Sequence, residues 1–313
     1  MEYPNPKIKF YTTRTLSQKL TVTFEFLREN WRPLLVFSFY LILPVCLFQA
    51  FSMNAYLRLA FSAGVESASG NLNDPIFSFI WTFGMLVILL FIGNSVLYAL
   101  VYSLMTEYEQ RDSRLMNIKL TDFKTSLIRH IGKILRVNLF IGGIATILCA
   151  IVVLLAVSMT ETLFLTIPVL AIGGVAVIAP ISLFTPVYLF EDIPFFEALR
   201  KSFRYGFSAW GEIFVIVLVL GLMSNIISSV TMMPWYLVLV FGEIFSLAEP
   251  DSAINASLWY QFITYLLGIV QSYGMYVSYI LGAVGIAFQY FHIREKKEGI
   301  SFSTSIQNFD SLR

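Results

Sequence analysis

Charged residues are scarce in this sequence. They make up only 13% of its 313 residues, whereas 57% are hydrophobic; soluble domains carry about 25% charged residues. This composition excludes a soluble protein. Stretches without Lys, Arg, Asp or Glu that are long enough to cross a bilayer as helices cover residues 33–57, 75–106, 137–160, 162–190, 213–242 and 252–293. We therefore predict an all-α polytopic membrane protein with six transmembrane helices.

Cysteine and histidine are also rare. Cys46 and Cys149 both lie inside apolar stretches, which excludes a disulfide framework and a zinc ribbon. His130 and His292 have no second metal ligand close by in the sequence, so we predict no metal site and no cofactor. The sequence contains no nucleophile elbow, HExxH or P-loop motif. A serine or cysteine hydrolase would lack a base at membrane depth, so we predict no catalytic residues.

The predicted spans contain no Lys, Arg, Asp or Glu. Such residues are costly inside a bilayer, and where they occur they mark proton relays and ion-coupling sites. Their absence disfavours a proton-coupled or sodium-coupled transporter. The net charge of +1 gives no reason to expect a polyanionic partner, and we predict no nucleic-acid binding.

The basic residues lie almost entirely on one side of the predicted topology. Six precede the first span, seven follow the second, three follow the fourth and four lie in the tail, while the remaining loops contain only Arg58. Basic loops close to the spans are retained in the cytoplasm. We therefore expect both termini to be cytoplasmic.

An amphipathic helix is predicted before each odd-numbered span. These helices cover residues 15–32, 121–136 and 194–210; the predicted spans cover 33–57, 75–106, 137–160, 162–190, 213–233 and 257–291, and a tail follows at 294–313. Such helices lie in the headgroup plane and place basic side chains on lipid phosphates. The predicted headgroup contacts are Arg200, Lys201, Arg204, Lys124, Arg129 and Lys133.

One interfacial helix followed by two spans, repeated three times, indicates a threefold internal repeat. The three copies share little residue identity, and basic cytoplasmic loops commonly look amphipathic, so a chance likeness remains the alternative. The short turn at Thr160, Glu161 and Thr162 predicts that spans three and four are close antiparallel neighbours. The apolar piece after Pro234 is too short to cross a bilayer, and we predict an interfacial segment there.

Uncharged polar residues follow one side of the second, fifth and sixth spans at helical spacing. They are Asn94, Tyr98, Asn225, Ser228, Gln271 and Ser278. Small and amide side chains of this kind allow helices to pack closely and to hydrogen-bond to each other. The alternative is that the three stripes face one another around a pocket for a lipid or another amphiphile. The sequence leaves both interpretations open.

Two segments carry a resemblance to a known group of proteins. They are FEFLRENWRP at 24–33 and EALRKSF at 197–203, the latter followed by Gly206 and Trp210. These segments resemble a pattern in bacterial six-span proteins, including the membrane domain attached to some glycerophosphodiester phosphodiesterases. The resemblance implies an integral module of the bacterial inner membrane, sometimes fused to a catalytic domain. We expect no phosphodiester hydrolysis, because the sequence has neither a barrel-sized domain nor a metal-binding Glu/His set.

These observations favour a non-enzymatic multi-pass inner-membrane protein. It would bind membrane lipids or serve as the membrane partner of another protein. The alternative function is that of a transporter or flippase for an uncharged or amphipathic solute, with Asn94, Asn225 and Gln271 as pocket groups. The oligomeric state is not encoded in any pattern of the sequence.

Overall fold

The computed structural model describes residues 6–66, 73–158, 163–248 and 257–300. Over these ranges the chain forms seven α-helices and no strand: α1 (Leu16–Glu66), α2 (Asn73–Gln110), α3 (Leu120–Ser158), α4 (Leu163–Phe190), α5 (Phe195–Ser208), α6 (Trp210–Ala248) and α7 (Leu258–Glu298). All of these helices except α5 are long and apolar enough to cross a membrane. The predicted fold class is confirmed, and the chain is an all-α polytopic membrane protein.

Large apolar side chains cover the outer faces of the spans. On α3 and α4, Ile147, Leu154 and Ile172 are 62%, 68% and 71% exposed. Such surfaces would be unfavourable in water, but they match the acyl chains of a bilayer, where each helix satisfies its backbone hydrogen bonds internally. The spans therefore contact membrane lipid directly.

The three predicted amphipathic segments join their spans in different ways. The first continues into the first span as α1, with non-helical backbone at Asn30 (φ −115°, ψ 20°). Pro33 explains this kink, because a proline ring clashes with the carbonyl of the fourth residue before it. The Asn30 amide donates a hydrogen bond to the carbonyl of Phe26 at 3.0 Å. The second segment runs into its span without a break as α3, and the third is the separate helix α5.

Several helices extend beyond the predicted bounds. Helix α6 passes through Pro234 and ends at Ala248 instead of residue 233, and α7 continues to Glu298. The segment after Pro234 is therefore helix, held in place by Trp235, whose buried indole N–H donates to Asn54 Oδ1 at 2.8 Å. The predicted turn between spans three and four and the end of the tail, 301–313, lie outside the described residues.

The chain divides into two compact units. The first comprises the described residues of Met1–Leu34, Tyr98–Gly221 and Leu281–Arg313, and the second those of Leu35–Leu97 and Leu222–Ile280. The basic ends of the helices belong to the first unit. Much of the apolar length of α1, α2, α6 and α7 belongs to the second.

An aromatic cluster forms the core of the first unit. Phe10, which precedes α1, is 3% exposed. Its ring centroid lies 5.7 Å from that of Tyr108, 5.4 Å from that of Phe288 and 4.9 Å from that of Phe291. Aromatic pairs at these separations add to the free energy gained by burial. The cluster fixes the segment before α1 against α2 and α7.

Side-chain hydrogen bonds connect the helices of the second unit. The Tyr276 hydroxyl donates to Gln49 Oε1 at 2.7 Å, and the hydroxyls of Ser38 and Tyr273 lie 3.1 Å apart. In a membrane, where helices gain little by burying apolar surface, such polar contacts help to specify packing. They connect α1 to α7.

Candidate functional site

A cavity of about 510 Å³ lies in the first unit, where the segment before α1 meets the start of α6 and the end of α7. Its charged and titratable lining residues are Arg14, Lys19, Glu212, His292 and Lys296, and we call it the Glu212 cavity. Binding sites for small ligands have volumes of roughly 300–1,000 Å³. The cavity is therefore large enough for a ligand fragment.

Glu212 is the centre of the polar contacts. Its Oε2 atom accepts a hydrogen bond from Lys19 Nζ at 3.1 Å, and its Oε1 atom accepts one from Lys296 Nζ at 3.3 Å. The Lys19 side chain is only 4% exposed, whereas the side chains of Glu212 and Lys296 are 44% and 60% exposed. The carboxylate thus links a buried ammonium group on α1 to an exposed one on α7.

Backbone geometry fixes the protonation of His292. The backbone N–H of Arg14 donates to His292 Nδ1 at 2.9 Å. A ring nitrogen that accepts a hydrogen bond carries no proton, so the ring is the neutral tautomer with its proton on Nε2. That atom lies 3.3 Å from Glu212 Oε2. His292 therefore adds no charge to the cavity.

Positive charge exceeds negative charge among the lining residues. Arg14, Lys19 and Lys296 are cationic and Glu212 is the one carboxylate among them, which leaves an excess of two positive charges. Glu212 itself lies in the first turn of α6, where the helix dipole favours an acidic side chain. A cavity with this charge balance is suited to an anionic ligand.

A second polar cluster in the same unit is balanced. Lys201 Nζ lies 2.6 Å from Glu191 Oε2 and 2.6 Å from Glu298 Oε1, and Arg294 Nε donates to Glu298 Oε2 at 3.1 Å. Burial alone would lower the pKa of Lys201, but its hydrogen bonds to Glu191 and Glu298 outweigh that effect and hold the pKa above its usual value. Two cations and two carboxylates neutralise each other, so this cluster ties α5 to α7.

The predicted headgroup contacts fall into two groups. Lys124, Arg129, Arg200 and Arg204 are exposed. Exposed Ile128 and Phe196 lie on the same two helices, α3 and α5. The other two contact carboxylates of the protein: Lys201 as described, and Lys133 through an ion pair with Asp192. The hydrogen bond from Lys133 lowers the pKa of Asp192 below its usual value.

The predicted polar stripes lie in varied environments. Asn225 is exposed and Asn94 and Ser228 are half-buried, whereas Gln271 is 7% exposed. Tyr98 belongs to the first unit, while the other stripe residues belong to the second. The Ser272 hydroxyl donates to Gln271 Oε1 at 3.3 Å.

Two contacts between α6 and α7 show the packing role of small residues. The Ser224 hydroxyl on α6 donates to the Ser278 carbonyl on α7 at 2.9 Å. A Cβ atom at Gly274 would lie 2.3 Å from Thr231 Oγ1. The close approach of the two helices thus accounts for small residues on this part of the α7 stripe.

The two histidines have different partners. His130 is buried and its Nδ1 atom lies 2.8 Å from the Ser103 hydroxyl, whereas His292 lies in the Glu212 cavity. Among the residues that the structure describes, no group of three His, Cys, Asp or Glu side chains is placed to hold a metal ion.

No protein-family model, curated protein or solved structure matches this chain. The resemblance of segments 24–33 and 197–203 to bacterial six-span proteins therefore stays a prediction.

The Glu212 cavity is not apparent from the sequence. Lys19 and Lys296, the two ammonium partners of Glu212, are 193 and 84 residues away from it along the chain. The available signal was an isolated acidic residue in the first turn of a span, on the side of the topology that carries the basic residues. The residues around Arg14 and His292 form no motif that indicates a site. These two side chains come together only because the segment before α1 packs onto α7.

Proposed function

We propose that this chain is a non-enzymatic multi-pass protein of the bacterial inner membrane, with both termini in the cytoplasm, that binds an anionic lipid headgroup in the Glu212 cavity. The supporting observation is the excess of two positive charges in a cavity of about 510 Å³ at the ends of membrane-spanning helices. The concentration of basic residues in alternate loops supports the orientation.

The apolar lining favours a lipid as the source of the anion. Leu16 and Val215 also line the cavity, and they are 41% and 39% exposed. A phospholipid presents a phosphate next to acyl chains, which matches cationic side chains next to exposed apolar ones. Lysine and arginine stems reach phosphates in this way at the membrane interface.

Glu212 has a defined part in this proposal. Its carboxylate holds Lys19 and Lys296 in place, and it competes with an incoming phosphate for the same ammonium groups. An anionic headgroup would therefore exchange with the carboxylate as the partner of Lys296, whose side chain is 60% exposed.

The test is lipid retention by the purified protein in nanodiscs that contain phosphatidylglycerol and phosphatidylcholine, read by native mass spectrometry. We expect Lys296→Gln to reduce retention of phosphatidylglycerol about threefold to tenfold, since it removes a charge-assisted contact. Glu212→Gln should have the opposite effect, because it removes the competing carboxylate. Lys124→Gln is the matched control, since Lys124 is an exposed lysine outside the cavity.

Equal losses in Lys296→Gln and Lys124→Gln would mean that lipid binding is a property of the basic surface as a whole. Retention that is unchanged in Lys296→Gln and Glu212→Gln would refute the cavity as a lipid site. The membrane-partner role would then replace it, and a protein bound at fixed stoichiometry in the same spectra would identify the partner.

A further inference from the structure

The second unit contains a cavity of about 410 Å³ between α1 and α7. Phe51, Asn54 and Arg58 line it from α1 at spacings of three and four residues, which places them on one helix face. Phe262 and Tyr265 line it from α7. We call this cavity the Arg58 groove.

The polar groups that the groove offers from α1 are hydrogen-bond donors. Asn54 Oδ1 already accepts the indole N–H of Trp235 at 2.8 Å, which leaves the NH₂ group of Asn54 as its donor. Arg58 adds guanidinium N–H groups, which donate and never accept. The Tyr265 hydroxyl is engaged with the carbonyl of Leu47 at 3.3 Å. The α1 side of the lining therefore favours a ligand that accepts hydrogen bonds.

Arg58 brings a positive charge to the groove. Its guanidinium carbon lies 5.9 Å from the centroid of the Tyr260 ring, a cation–π contact that fixes the side chain without neutralising it. None of the salt bridges between side chains that the structure describes involves Arg58. It is also the one basic residue outside the four basic segments of the sequence. An anionic group of a ligand would complement the positive charge of Arg58.

The groove has an apolar wall that continues toward the lipid. Phe51 and Phe262 are 65% and 53% exposed. Phe51 precedes Arg58 by seven residues, which corresponds to about 10 Å along the helix axis. The candidate span of α1 ends at Ala60, so we place Arg58 near the end of the span and Phe51 deeper in the membrane. The charged group at the opening of the groove matches the headgroup of a lipid, and the aromatic side chains deeper in the groove match its alkyl chain.

We propose that the Arg58 groove binds a single-chain anionic amphiphile from the membrane. Its carboxylate or phosphate headgroup contacts Arg58 and the amide of Asn54, and its alkyl chain lies against Phe51 and Phe262. This site is separate from the Glu212 cavity, which belongs to the other unit, and its test does not depend on the proposed function.

The test measures binding of oleate to the full chain in detergent by native mass spectrometry, with oleyl alcohol as a neutral probe of the same length. We expect oleate to bind at one molecule per chain and more tightly than oleyl alcohol. Arg58→Gln should raise the dissociation constant for oleate about tenfold or more. The matched control is Arg32→Gln, which removes another arginine that lies over an aromatic ring, that of Trp31.

A second variant keeps the test valid if Arg58→Gln fails to fold. Asn54→Asp preserves the oxygen that accepts the Trp235 N–H and adds a negative charge to the lining, so it should weaken oleate binding and leave oleyl alcohol unchanged. Oleate binding that survives both substitutions overturns the proposal. Equal affinity for oleate and oleyl alcohol, or displacement of oleate by equimolar inorganic phosphate, overturns it as well, the latter in favour of a soluble anion.

Discussion

At the scale of single residues, stability depends on how the buried charges of the first unit are paired. Glu29 and Arg114 form the clearest pair, with Arg114 Nη1 at 2.7 Å from Glu29 Oε1 and side chains that are 13% and 8% exposed. The Tyr108 hydroxyl donates to the same oxygen at 3.1 Å. Removing one member of such a pair leaves a buried charge without a partner, which costs more than removing both.

We expect Glu29→Gln to lower the free energy of unfolding by about 3 kcal/mol and to lower the melting temperature in detergent by several degrees. The double variant Glu29→Gln with Arg114→Met should lose clearly less than the sum of the two single variants, because it leaves no unpaired cation. Thermal melts followed by tryptophan fluorescence would measure this coupling. Glu25→Gln, an exposed change on the same helix, should have little effect, and additive losses at positions 29 and 114 would contradict the buried pair.

At the scale of elements, a close contact between the backbones at Pro180 and Gly206 attaches α5 to α4. The sequence gives only a weak signal of this contact. Proline lacks an N–H, so Pro180 cannot bond to the carbonyl of Ala176. The indole N–H of Trp210 donates to that carbonyl at 3.0 Å. A Cβ atom at Gly206 would lie 2.5 Å from Pro180 Cα. A proline, a glycine and a tryptophan from three helices thus form one close contact.

Gly206→Ala should lower the free energy of unfolding by about 2 kcal/mol, because the added methyl group meets backbone atoms that have no room to move. Gly132→Ala is the control. A Cβ atom there meets nothing within 4 Å, and alanine is the better helix former, so that variant should be neutral or slightly stabilised. Melting curves of the two variants in the same detergent decide the question, and equal melting temperatures would count against close α4–α5 packing.

At the scale of the whole molecule, the proposed function depends on the proposed orientation. A binding site for lipid headgroups of the inner leaflet requires that the basic loops lie in the cytoplasm. A membrane-impermeant maleimide tests the orientation. In a Cys149→Ser background, with Cys46 buried, Ser257→Cys should react in intact spheroplasts and Lys124→Cys only in inside-out vesicles. The reverse labelling pattern would show that the proposed orientation is wrong.

The number of spans and their helical structure can be predicted from the sequence. An uncharged stretch long enough to cross a bilayer forms a helix there, because a helix satisfies its backbone hydrogen bonds internally. Several helices are longer than the predicted spans. Helical hydrogen bonding does not stop where charge begins, so α2 continues to Gln110 and α7 to Glu298. The Glu212 cavity was not predictable, because it is assembled by residues far apart in the chain. The Arg58 groove likewise needs α1 and α7 to be adjacent.

The attachment of α5 has a consequence for the surrounding bilayer. Ala198, Ser202, Tyr205 and Gly206 face the protein, while Phe196 and Phe207 point outward, 75% and 56% exposed. Because Gly206 and Lys201 hold the helix against the protein, its depth is set by the fold and not by the lipid. In a membrane of unsuitable thickness the lipids would have to stretch or compress locally to keep these phenylalanines in hydrocarbon. We therefore expect the thickness of the bilayer around α5 to follow the position of this helix.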